Sequence, residues 1–483
     1  QVFEQAILER VELELQRQYF SRGKYGVSIE SNVSDLSQNR VAIIITMQEG
    51  IVATIGGINI VGNASYQEDD LLSELESTTG SILSIITRDN QYSRQKLSAD
   101  LETLRSFYLD RGFVDFVVES TQVSITDDKR QMFITINISE GDRYQIKEVR
   151  LAGNLIVPEK ELFDLVIIKK DAVFSRKQVT KSSEYLTNRL GNDGYAFANV
   201  NAVPKIDREN HLVTLTFYVD PGRRAYVRRI NIEGNSKTRD EVVRRELRQQ
   251  EASWISTNQV EVSRARIQRL GYFEDVNVET IPVPGTADQV DLDFTVTEQS
   301  SGSLSAGLGF SGSDGLLLNA NITQQNFLGS GKHISFGFNN SDTNTVYNVG
   351  YTNPFATVDG ISQGFGAFIR ETDSDDNNNN IASFNTDVWG GSTSFGIPIS
   401  ENNRISLGLG YENTLLKIPD NTTIRRYSDF VEREGEEFDT FSVSLGWASN
   451  TRNHAVLPTR GKLQRLSAEV AVPGGSLQFY KLN

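Results

Sequence analysis

Several short segments of this sequence resemble catalytic or cofactor motifs, but each lacks the context that its chemistry requires. Gly307, Gly309 and Gly312 have the spacing of a dinucleotide-binding fingerprint, yet they lie inside an alternating strand pattern that no helix follows. In "GFSGS", Ser313 occupies the position where a nucleophile elbow needs a glycine. The sequence therefore indicates no catalytic residue and no cofactor, and it predicts a protein that is not an enzyme.

The sequence patterns for metal ligation and for nucleic-acid binding are as weak as the catalytic and cofactor motifs. The three histidines, His211, His333 and His454, are isolated in sequence and there is no Cys, so a zinc site is not expected. The acidic run "DSDD" from Asp373 could attract Ca²⁺, but a solvated loop is the simpler interpretation. The chain has 48 Lys+Arg against 63 Asp+Glu and a formal net charge of -15. This balance argues against a general nucleic-acid binder, whose affinity depends on neutralising phosphates.

One basic cluster stands out in this acidic chain, between residues 223 and 248. Its members are Arg223, Arg224, Arg228, Arg229, Lys237, Arg239, Arg244, Arg245 and Arg248. If the segment is helical, Arg244, Arg248 and Glu251 fall at i, i+4 and i+7 on one side. We interpret these three residues as a partner-docking patch, with a plain solvated face as the alternative.

The elements around this cluster belong to a unit that occurs three times. The segments "INIVGNASYQEDDLLSEL", "VRLAGNLIVPEKELFDLV" and "INIEGNSKTRDEVVRREL" begin at Ile58, Val149 and Ile230. Each segment opens a unit with a short strand that ends in Gly-Asn, followed by a helix start. The unit then continues with a second helix that stops at a glycine and with two strands. The pattern predicts three α+β units of βααββ order, preceded by a half-unit without its opening strand, so we expect the chain to begin inside a domain.

Two functions fit such an array of small sheets. The units could be spacers, or their exposed strand edges could capture extended peptides by β-augmentation.

The composition changes after Ser300, where helical periodicity disappears. Leu304, Ala306, Leu308 and Phe310 alternate with Ser303, Ser305, Gly307 and Gly309. About nine such segments follow one another, apolar on one side and small or polar on the other, which is typical of a transmembrane β-barrel. A soluble β-sandwich also alternates and remains the alternative.

Connection lengths in this region also alternate between short and long. We expect Phe327 and Gly329 in a short turn on the side of the preceding units, and "DSDDNNNN" at the opposite end. After Ser303 we expect no helix of more than two turns outside a loop. Nine is an odd number of strands, so we expect the barrel to be incomplete at the C-terminus.

Repeated βααββ modules followed by a β-barrel resemble the outer-membrane assembly superfamily, whose modules are called POTRA domains. Segments that carry the resemblance include "LSADLETLRSFYLDRGF", "QQNFLGSG", "TNPFATVDG" and "LPTRGKL", and they are spread over the chain. The resemblance implies that residues 1–50 are the second half of a POTRA domain and that residues 51–143, 144–222 and 223–299 are complete ones. Residues 300–483 would be the N-terminal part of the barrel.

The resemblance also implies a function. Such a protein would lie in the bacterial outer membrane with its POTRA domains in the periplasm, where it would receive unfolded β-barrel clients from periplasmic chaperones. It would insert the clients into the bilayer without a nucleotide or other cofactor. In the family, the first barrel strand is a weak edge for client strands, and here it corresponds to Ser303–Ser311. Accessory lipoproteins dock on the last POTRA domain, at positions that match Arg244 and Glu251.

Two other functions remain open at this point. A sister POTRA-barrel transporter, either a translocation-and-assembly subunit or a two-partner secretion pore, carries fewer POTRA modules than the repeats indicate here. A passive porin or receptor barrel would not need the repeated modules at all.

Overall fold

The chain divides into two compact units. One comprises Gln1–Gly191 with Phe197–Arg223, and the other comprises Asn192–Ala196 with Arg224–Asn483. The computed structural model describes residues 3–21, 23–37, 40–80, 90–312, 315–373, 385–418, 425–452 and 458–482.

The first unit begins with a helix and a strand pair. Helix α1 spans Gln5–Ser21, and strands β1 (Ser28–Leu36) and β2 (Arg40–Gln48) pair in antiparallel register. Leu8 is the buried residue of the helix.

Two βααββ modules complete the first unit. The elements of the first are β3 (Thr54–Val61), α2 (Glu68–Leu72), α3 (Arg94–Leu109), β4 (Val117–Ile125) and β5 (Gln131–Ser139). Those of the second are β6 (Gln145–Gly153), α4 (Glu159–Leu165), α5 (Arg176–Asn192), β7 (Asn199–Asp207) and β8 (Leu212–Asp220). In both sheets the last strand is central, parallel to the first strand and antiparallel to the second. The predicted element order is confirmed. Because the first and last strands are parallel, the chain must cross over between them, and the two helices with the second strand form this crossover.

Each sheet buries one face against its helices. In the first module, Leu104 and Tyr108 of α3 pack against Ile134 and Ile136 of β5, and all four are at most 1% exposed. Full burial of such a side chain contributes roughly 1.5–3 kcal/mol to folding.

The second unit opens with a third βααββ module, which we call the last module. Its elements are β9 (Tyr226–Glu233), α6 (Asp240–Arg244), α7 (Thr257–Arg269), β10 (Phe273–Pro282) and β11 (Gln289–Glu298). Strand β11 is central, as in the other two sheets. Helix α7 begins at a side-chain cap, because Ser256 accepts a hydrogen bond from the Gln259 backbone N–H.

The Gly-Asn pair that ends each opening strand forms a turn that requires glycine. Gly62, Gly153 and Gly234 have φ angles of 100°, 99° and 87°, in the left-handed region. A Cβ atom at any of them would also overlap a carbonyl oxygen of the central strand, in Ile138, Val219 or Val296 respectively. The repeated glycine therefore has two causes, the backbone conformation and the close approach of the neighbouring strand.

We expect Gly234→Ala to destabilise the last module by more than the left-handed conformation alone costs. Gly285→Ala is the matched control, because Gly285 has a φ of 82° but no atom within 4 Å of an added Cβ. The control substitution should cost about 1–2 kcal/mol, and Gly234→Ala clearly more. Hydrogen exchange of the β11 amides measures both losses, and equal losses would show that the close approach to Val296 is unimportant.

A ten-stranded antiparallel sheet follows the last module, with its strands in chain order. They are β12 (Gly302–Ser311), β13 (Gly315–Phe327), β14 (Lys332–Asn340), β15 (Asn344–Asn353), β16 (Ser362–Thr372), β17 (Asn385–Pro398), β18 (Asn403–Lys417), β19 (Glu437–Asn450), β20 (Leu463–Ala471) and β21 (Tyr480–Leu482). The first nine correspond to the alternating segments of the sequence, and β21 was not predicted. The sheet is open among the described residues, with β12 and β21 at its edges.

Helix α8 (Arg425–Glu434) lies in the long connection between β18 and β19, so the expectation of no long helix outside a loop holds for the described residues. Residues 374–384 lie outside the described residues, and with them most of the "DSDDNNNN" loop. Among the described residues, no helix has the length and apolar content needed to cross a membrane.

The register of the sheet gives it one apolar and one small-residue face. Leu304 lies opposite Ile322, and Ile322 lies opposite Phe336, so these three share the apolar face. On the other face glycines lie opposite serines, as in the pairs Gly364–Ser394 and Gly408–Ser444. An apolar outer face and a polar inner face are what a membrane-spanning sheet requires.

Candidate functional site at the junction of the last module and the sheet

The hairpin turn between β13 and β14 is hydrogen-bonded to the last module. The Arg239 backbone N–H donates to the Gly329 carbonyl oxygen at 3.0 Å, and the Asn326 amide donates to Thr238 Oγ1 at 2.8 Å. Gly329 has a φ of 69°, and an added Cβ would overlap the Lys237 carbonyl oxygen. The predicted short turn on the module side, with Phe327 ending the preceding strand, is therefore confirmed.

A second turn, between β15 and β16, is held by an arginine–aromatic contact. The Arg245 guanidinium lies 4.3 Å from the centre of the Phe355 ring. Burial lowers the pKa of Arg245, and its Nε and one terminal nitrogen are buried without a hydrogen-bond partner in the described structure. The face of an aromatic ring stabilises such a cation electrostatically, which explains how Arg245 is tolerated there.

A third turn, between β17 and β18, is joined to the last module by ion pairs. Glu401 contacts Arg248 and Arg266 at 2.6 Å each, and Arg266 also contacts Glu246 at 2.6 Å. The Glu246 side chain is only 6% exposed, whereas Glu401 is 46% exposed. We call these four side chains the Glu401 network. It crosses from the module to the sheet through well-formed charge-assisted hydrogen bonds.

The electrostatics of the Glu401 network favour the ionised carboxylate. Burial raises the pKa of Glu401, but hydrogen bonds and charge from Arg248 and Arg266 outweigh burial, so the pKa lies below its ordinary value. The Glu401 carboxylate is thus ionised at neutral pH.

The helical patch predicted for Arg244, Arg248 and Glu251 is wrong, because α6 ends at Arg244. The Arg248 backbone N–H, which would bond to Arg244 in a continuing helix, instead donates to Ser263 Oγ of α7 at 2.7 Å. Gln249 is then turned inward, 1% exposed, and accepts a hydrogen bond from the Ser256 N–H. Tertiary hydrogen bonds thus override the helical spacing of the charges.

Two of the three predicted residues nevertheless lie together at the surface. Arg244 is 3.7 Å from Glu251, and their side chains are 44% and 47% exposed. The Glu251 carboxylate also accepts the Ile230 backbone N–H at 2.8 Å, and Arg244 pairs with Asp240 at 2.9 Å. Arg248 points elsewhere, into the Glu401 network.

The predicted seam strand, Ser303–Ser311, lies within β12 at the edge of the sheet. It pairs with β13 from Gly302–Gln324 to Ser311–Gly315, and no described strand pairs with its other edge. Leu304, Leu308 and Phe310 are 75%, 83% and 83% exposed on the apolar face. The other residues named for the seam, Ser305, Ala306, Gly307 and Gly309, lie in the same strand.

A carboxylate that sequence reasoning missed holds the Gly-Asn turn. Glu298, at the end of β11, accepts the Lys237 and Thr238 backbone N–H groups at 3.0 and 2.7 Å, and the Ser236 hydroxyl at 2.9 Å. Burial raises the pKa of Glu298, but these hydrogen bonds outweigh burial and bring it below its ordinary value.

An equivalent carboxylate, Glu140, accepts the Ser65 N–H and hydroxyl at 3.0 and 2.6 Å in the first module. The signal was available in the repeat, since an acidic residue ends or directly follows each central strand. In the second module that residue is Asp220, which is one methylene shorter and accepts the Gly222 N–H of its own turn.

Comparison with protein families matches the three βααββ modules and most of the sheet. The family model described as "Surface antigen variable number repeat", POTRA, matches residues 53–141, 144–222 and 225–299, which is about half of the chain. The model described as "Omp85 superfamily domain" matches residues 326–483.

Named relatives are similar over most of this chain. The chain is 34% identical over 493 aligned residues to "Outer membrane protein assembly factor BamA" of Neisseria meningitidis serogroup B, covering 99% of this chain and 61% of that protein. It is 28% identical over 373 residues to the protein of the same name in Buchnera aphidicola, covering 77% of this chain and 60% of that protein. The chain thus spans about three fifths of the length of these relatives.

A solved structure has the same fold. The crystal structure of BamA from Haemophilus ducreyi lacking POTRA domains 1–3 matches with a TM-score of 0.56 and 33% identity, covering 70% of this chain and 66% of that one. Module and sheet therefore occur together in a protein of known structure.

Proposed function

Because the chain belongs to the family of proteins that join POTRA repeats to an Omp85 superfamily domain, we propose that it is part of an outer-membrane protein assembly factor. In this proposal the sheet spans the bacterial outer membrane and the modules lie in the periplasm. Unfolded β-barrel clients reach the modules, and the protein folds and inserts them. The free energy comes from the folding of the client, without a nucleotide.

The observation that carries the proposal is the composition of β12, the first strand of the sheet, which contains Gly307 and Gly309 and no β-branched residue and should therefore open readily on its outer edge. An unpaired edge presents backbone N–H and C=O groups that another strand can use. In a membrane these groups must be satisfied, so an incoming client strand gains both hydrogen bonds and access to lipid there.

The modules have edges of the same kind. In each three-stranded module sheet the central strand is paired on both sides. The first strand is also bonded on its outer side to the segment before the second helix, at Ile55, Ile146 and Val227, so the second strand has the longer free edge among the described residues. We propose that extended client segments delivered by periplasmic chaperones pair transiently with these edges. In this proposal residues 1–50, 51–143, 144–222 and 223–299 are one partial and three complete POTRA domains, and residues 300–483 are part of the barrel.

Reconstitution tests the proposal against the sister-transporter alternative. The full-length protein in liposomes should convert a urea-denatured outer-membrane client into a folded, protease-resistant barrel in the same bilayer. A transporter would instead deliver the client into the liposome lumen, where it could be separated from the membrane. Client recovered in the lumen, or no folding above protein-free liposomes, would contradict the proposal.

We propose that Arg244 and Glu251 form the docking point for an accessory lipoprotein, without Arg248, whose guanidinium is bound to Glu401. We expect Glu251→Lys to weaken capture of that lipoprotein at least tenfold, because the exposed carboxylate becomes a cation next to Arg244. Glu251→Gln is the control, since its amide oxygen still accepts the Ile230 N–H while the charge is lost.

Pull-down from solubilised membranes measures both variants, and hydrogen exchange of β9 reports whether the module stays folded. The Gln variant should lose less binding than the Lys variant, with β9 protected in both. Unchanged capture by Glu251→Lys in a folded module would exclude this docking point.

A further inference from the structure

A cavity of about 720 Å³ lies between the last module and the apolar face of the sheet. Residues of β13 and β14 form one side, the loop after the Gly-Asn turn forms the other, and the linker between β11 and β12 closes the end. The volume falls in the range of about 300–1,000 Å³ that small-molecule sites occupy. The two walls differ in chemistry, and the difference identifies the ligand.

The sheet wall is a continuation of the outward apolar surface. Ile322, Ile334 and Phe336 line the cavity, and the register places all three on the face that carries Leu304. In a membrane-spanning sheet this face meets acyl chains. The cavity is therefore open to lipid along one side and lies at the end of the strands nearest the module.

The module wall is polar and carries one group of each charge. Lys237, Thr238, Glu298, Gln299 and Ser300 line it, and the Glu298 carboxylate is held by the Lys237 and Thr238 backbone N–H groups. The Lys237 backbone N–H is bonded to Glu298, but its exposed ammonium has no carboxylate within ion-pair distance among the described residues. A lysine ammonium with this freedom is available to a phosphate.

Two large apolar side chains are exposed at the rim of the cavity. Leu328 is 76% exposed and Phe327 is 40% exposed, in the hairpin that bonds to the module through Gly329. Large apolar side chains held at the level where a sheet leaves the bilayer favour contact with the interfacial region of the leaflet.

From these two walls we propose that the cavity binds one glycerophospholipid of the periplasmic leaflet, with its phosphate on Lys237 and an acyl chain along Ile322 and Phe336. An amphipathic ligand fits because one wall is apolar and the other is polar and carries a charge of each sign, Lys237 and Glu298. The inference rests on the proposed function for the membrane placement of the sheet. The inference adds a lipid site at the N-terminal end of β12, since Gly302, the first residue of that strand, also lines the cavity.

The consequence concerns the edge strand. A bound lipid contacts the linker residues Ser300 and Ser301 and the start of β12, and Ser301 is tied to β13 because it accepts a hydrogen bond from the Gln324 amide at 2.9 Å. The lipid therefore fills the space between module and strand without occupying the free backbone edge. Client and lipid can be present together.

Photocrosslinking of the full-length protein in nanodiscs tests the site. The probe is a phosphatidylethanolamine with a diazirine in its acyl chain, and mass spectrometry locates the labelled peptides. We expect labelling of residues 322–336 to fall at least threefold in Lys237→Gln and in Phe336→Ala. The matched controls are Arg223→Gln, an exposed cation of the neighbouring linker, and Phe365→Ala, on the same apolar face at β16, neither of which lines the cavity.

Every outcome of this experiment decides the proposal. Equal labelling in the Lys237 variant and its control would overturn it, as would uniform labelling along the apolar face. Competition by millimolar inorganic phosphate would point to a free anion as the ligand. Loss of lipid label when a denatured client is added would make a client segment the occupant. The comparison of the variants with their controls needs no client, so it can succeed where reconstituted assembly fails, which separates the failure of the lipid site from that of the proposed function.

Discussion

A full-length protein whose first and last barrel strands are joined by a disulfide should lose client assembly and regain it on reduction. The variant carries Leu308→Cys in β12 and a second Cys in the last strand of the complete barrel. Residues 1–483 contain no Cys, so no native thiol in this part of the chain competes for the bond. We expect the assembly rate to fall at least tenfold in the oxidised form, because a locked edge offers no backbone groups to a client strand.

Two features of β12 make it suited to opening. Gly307 and Gly309 remove side-chain contact from its inner face, and glycine weakens a strand because it packs little and loses more conformational entropy on ordering. β12 also contains no β-branched residue, although such residues favour strands. Strand β12 should therefore separate from a neighbouring strand more readily than two interior strands of the sheet separate from each other.

The matched control is a disulfide between two interior strands. Leu409 and Val443 lie directly opposite each other on β18 and β19, on the same apolar face as Leu308. Leu409→Cys with Val443→Cys should form a bond that leaves assembly unchanged, because those strands stay paired throughout. If the interior lock were as inhibitory as the edge lock, general rigidity of the barrel would be the cause. If neither lock slowed assembly, templating at β12 would be wrong.

The second large effect concerns the Glu401 network. Glu401→Gln should release the turn between β17 and β18 from the last module, because Arg248 and Arg266 lose their shared carboxylate. Hydrogen bonds to charged groups contribute about 1.5–3 kcal/mol, and we expect the low end because Glu401 is 46% exposed. Faster hydrogen exchange in residues 399–403 and in α7 measures the release.

Glu261→Gln is the control. Glu261 lies on α7, as Arg266 does, but it pairs with Arg264 of the same helix and not with the sheet. It should leave exchange of residues 399–403 unchanged. A double-mutant cycle with Arg248→Gln should give a coupling energy on the order of 1 kcal/mol. A coupling near zero would make the close contact energetically unimportant.

The pH dependence of this contact follows from the lowered pKa of Glu401. A carboxyl group with a lowered folded-state pKa stabilises the contact above its ordinary pKa and loses that stabilisation as the pH falls through the lowered value. Protection of residues 399–403 should thus persist at neutral and mildly acidic pH and disappear only at strongly acidic pH. In Glu401→Gln this acid step should be absent.

Much of the fold could be predicted because it is periodic. The three Gly-Asn turns, the glycines that end the second helices and the alternation after Ser300 are local signals, and each corresponds to an element of the structure. The pairing of β3 with β5 is not local, because the two strands are separated by both helices and β4. Its trace in the sequence is the acidic residue that ends or directly follows each central strand.

The candidate site was less predictable, because its residues are joined by tertiary contacts. Arg244, Arg248 and Glu251 have helical spacing, yet the Ser263 hydroxyl takes the N–H that would have continued the helix. Glu401 is an ordinary turn residue in "PISENN", and only the fold brings it beside Arg266 of a distant helix. Spacing identifies neighbours on one element but not partners on two.

The central claim is that a client strand pairs with the free edge of β12, and register-specific crosslinking tests it most directly. Single cysteines at Ser303, Ser305 and Gly307 of the full-length protein are combined with a cysteine scan of the final strand of a stalled client. Antiparallel or parallel pairing requires that moving two residues along β12 moves the best client partner by two residues. We expect such a ladder, with crosslinks at β12 and none at an equivalent series in β18. Crosslinks without register, or confined to the POTRA modules, would contradict the account.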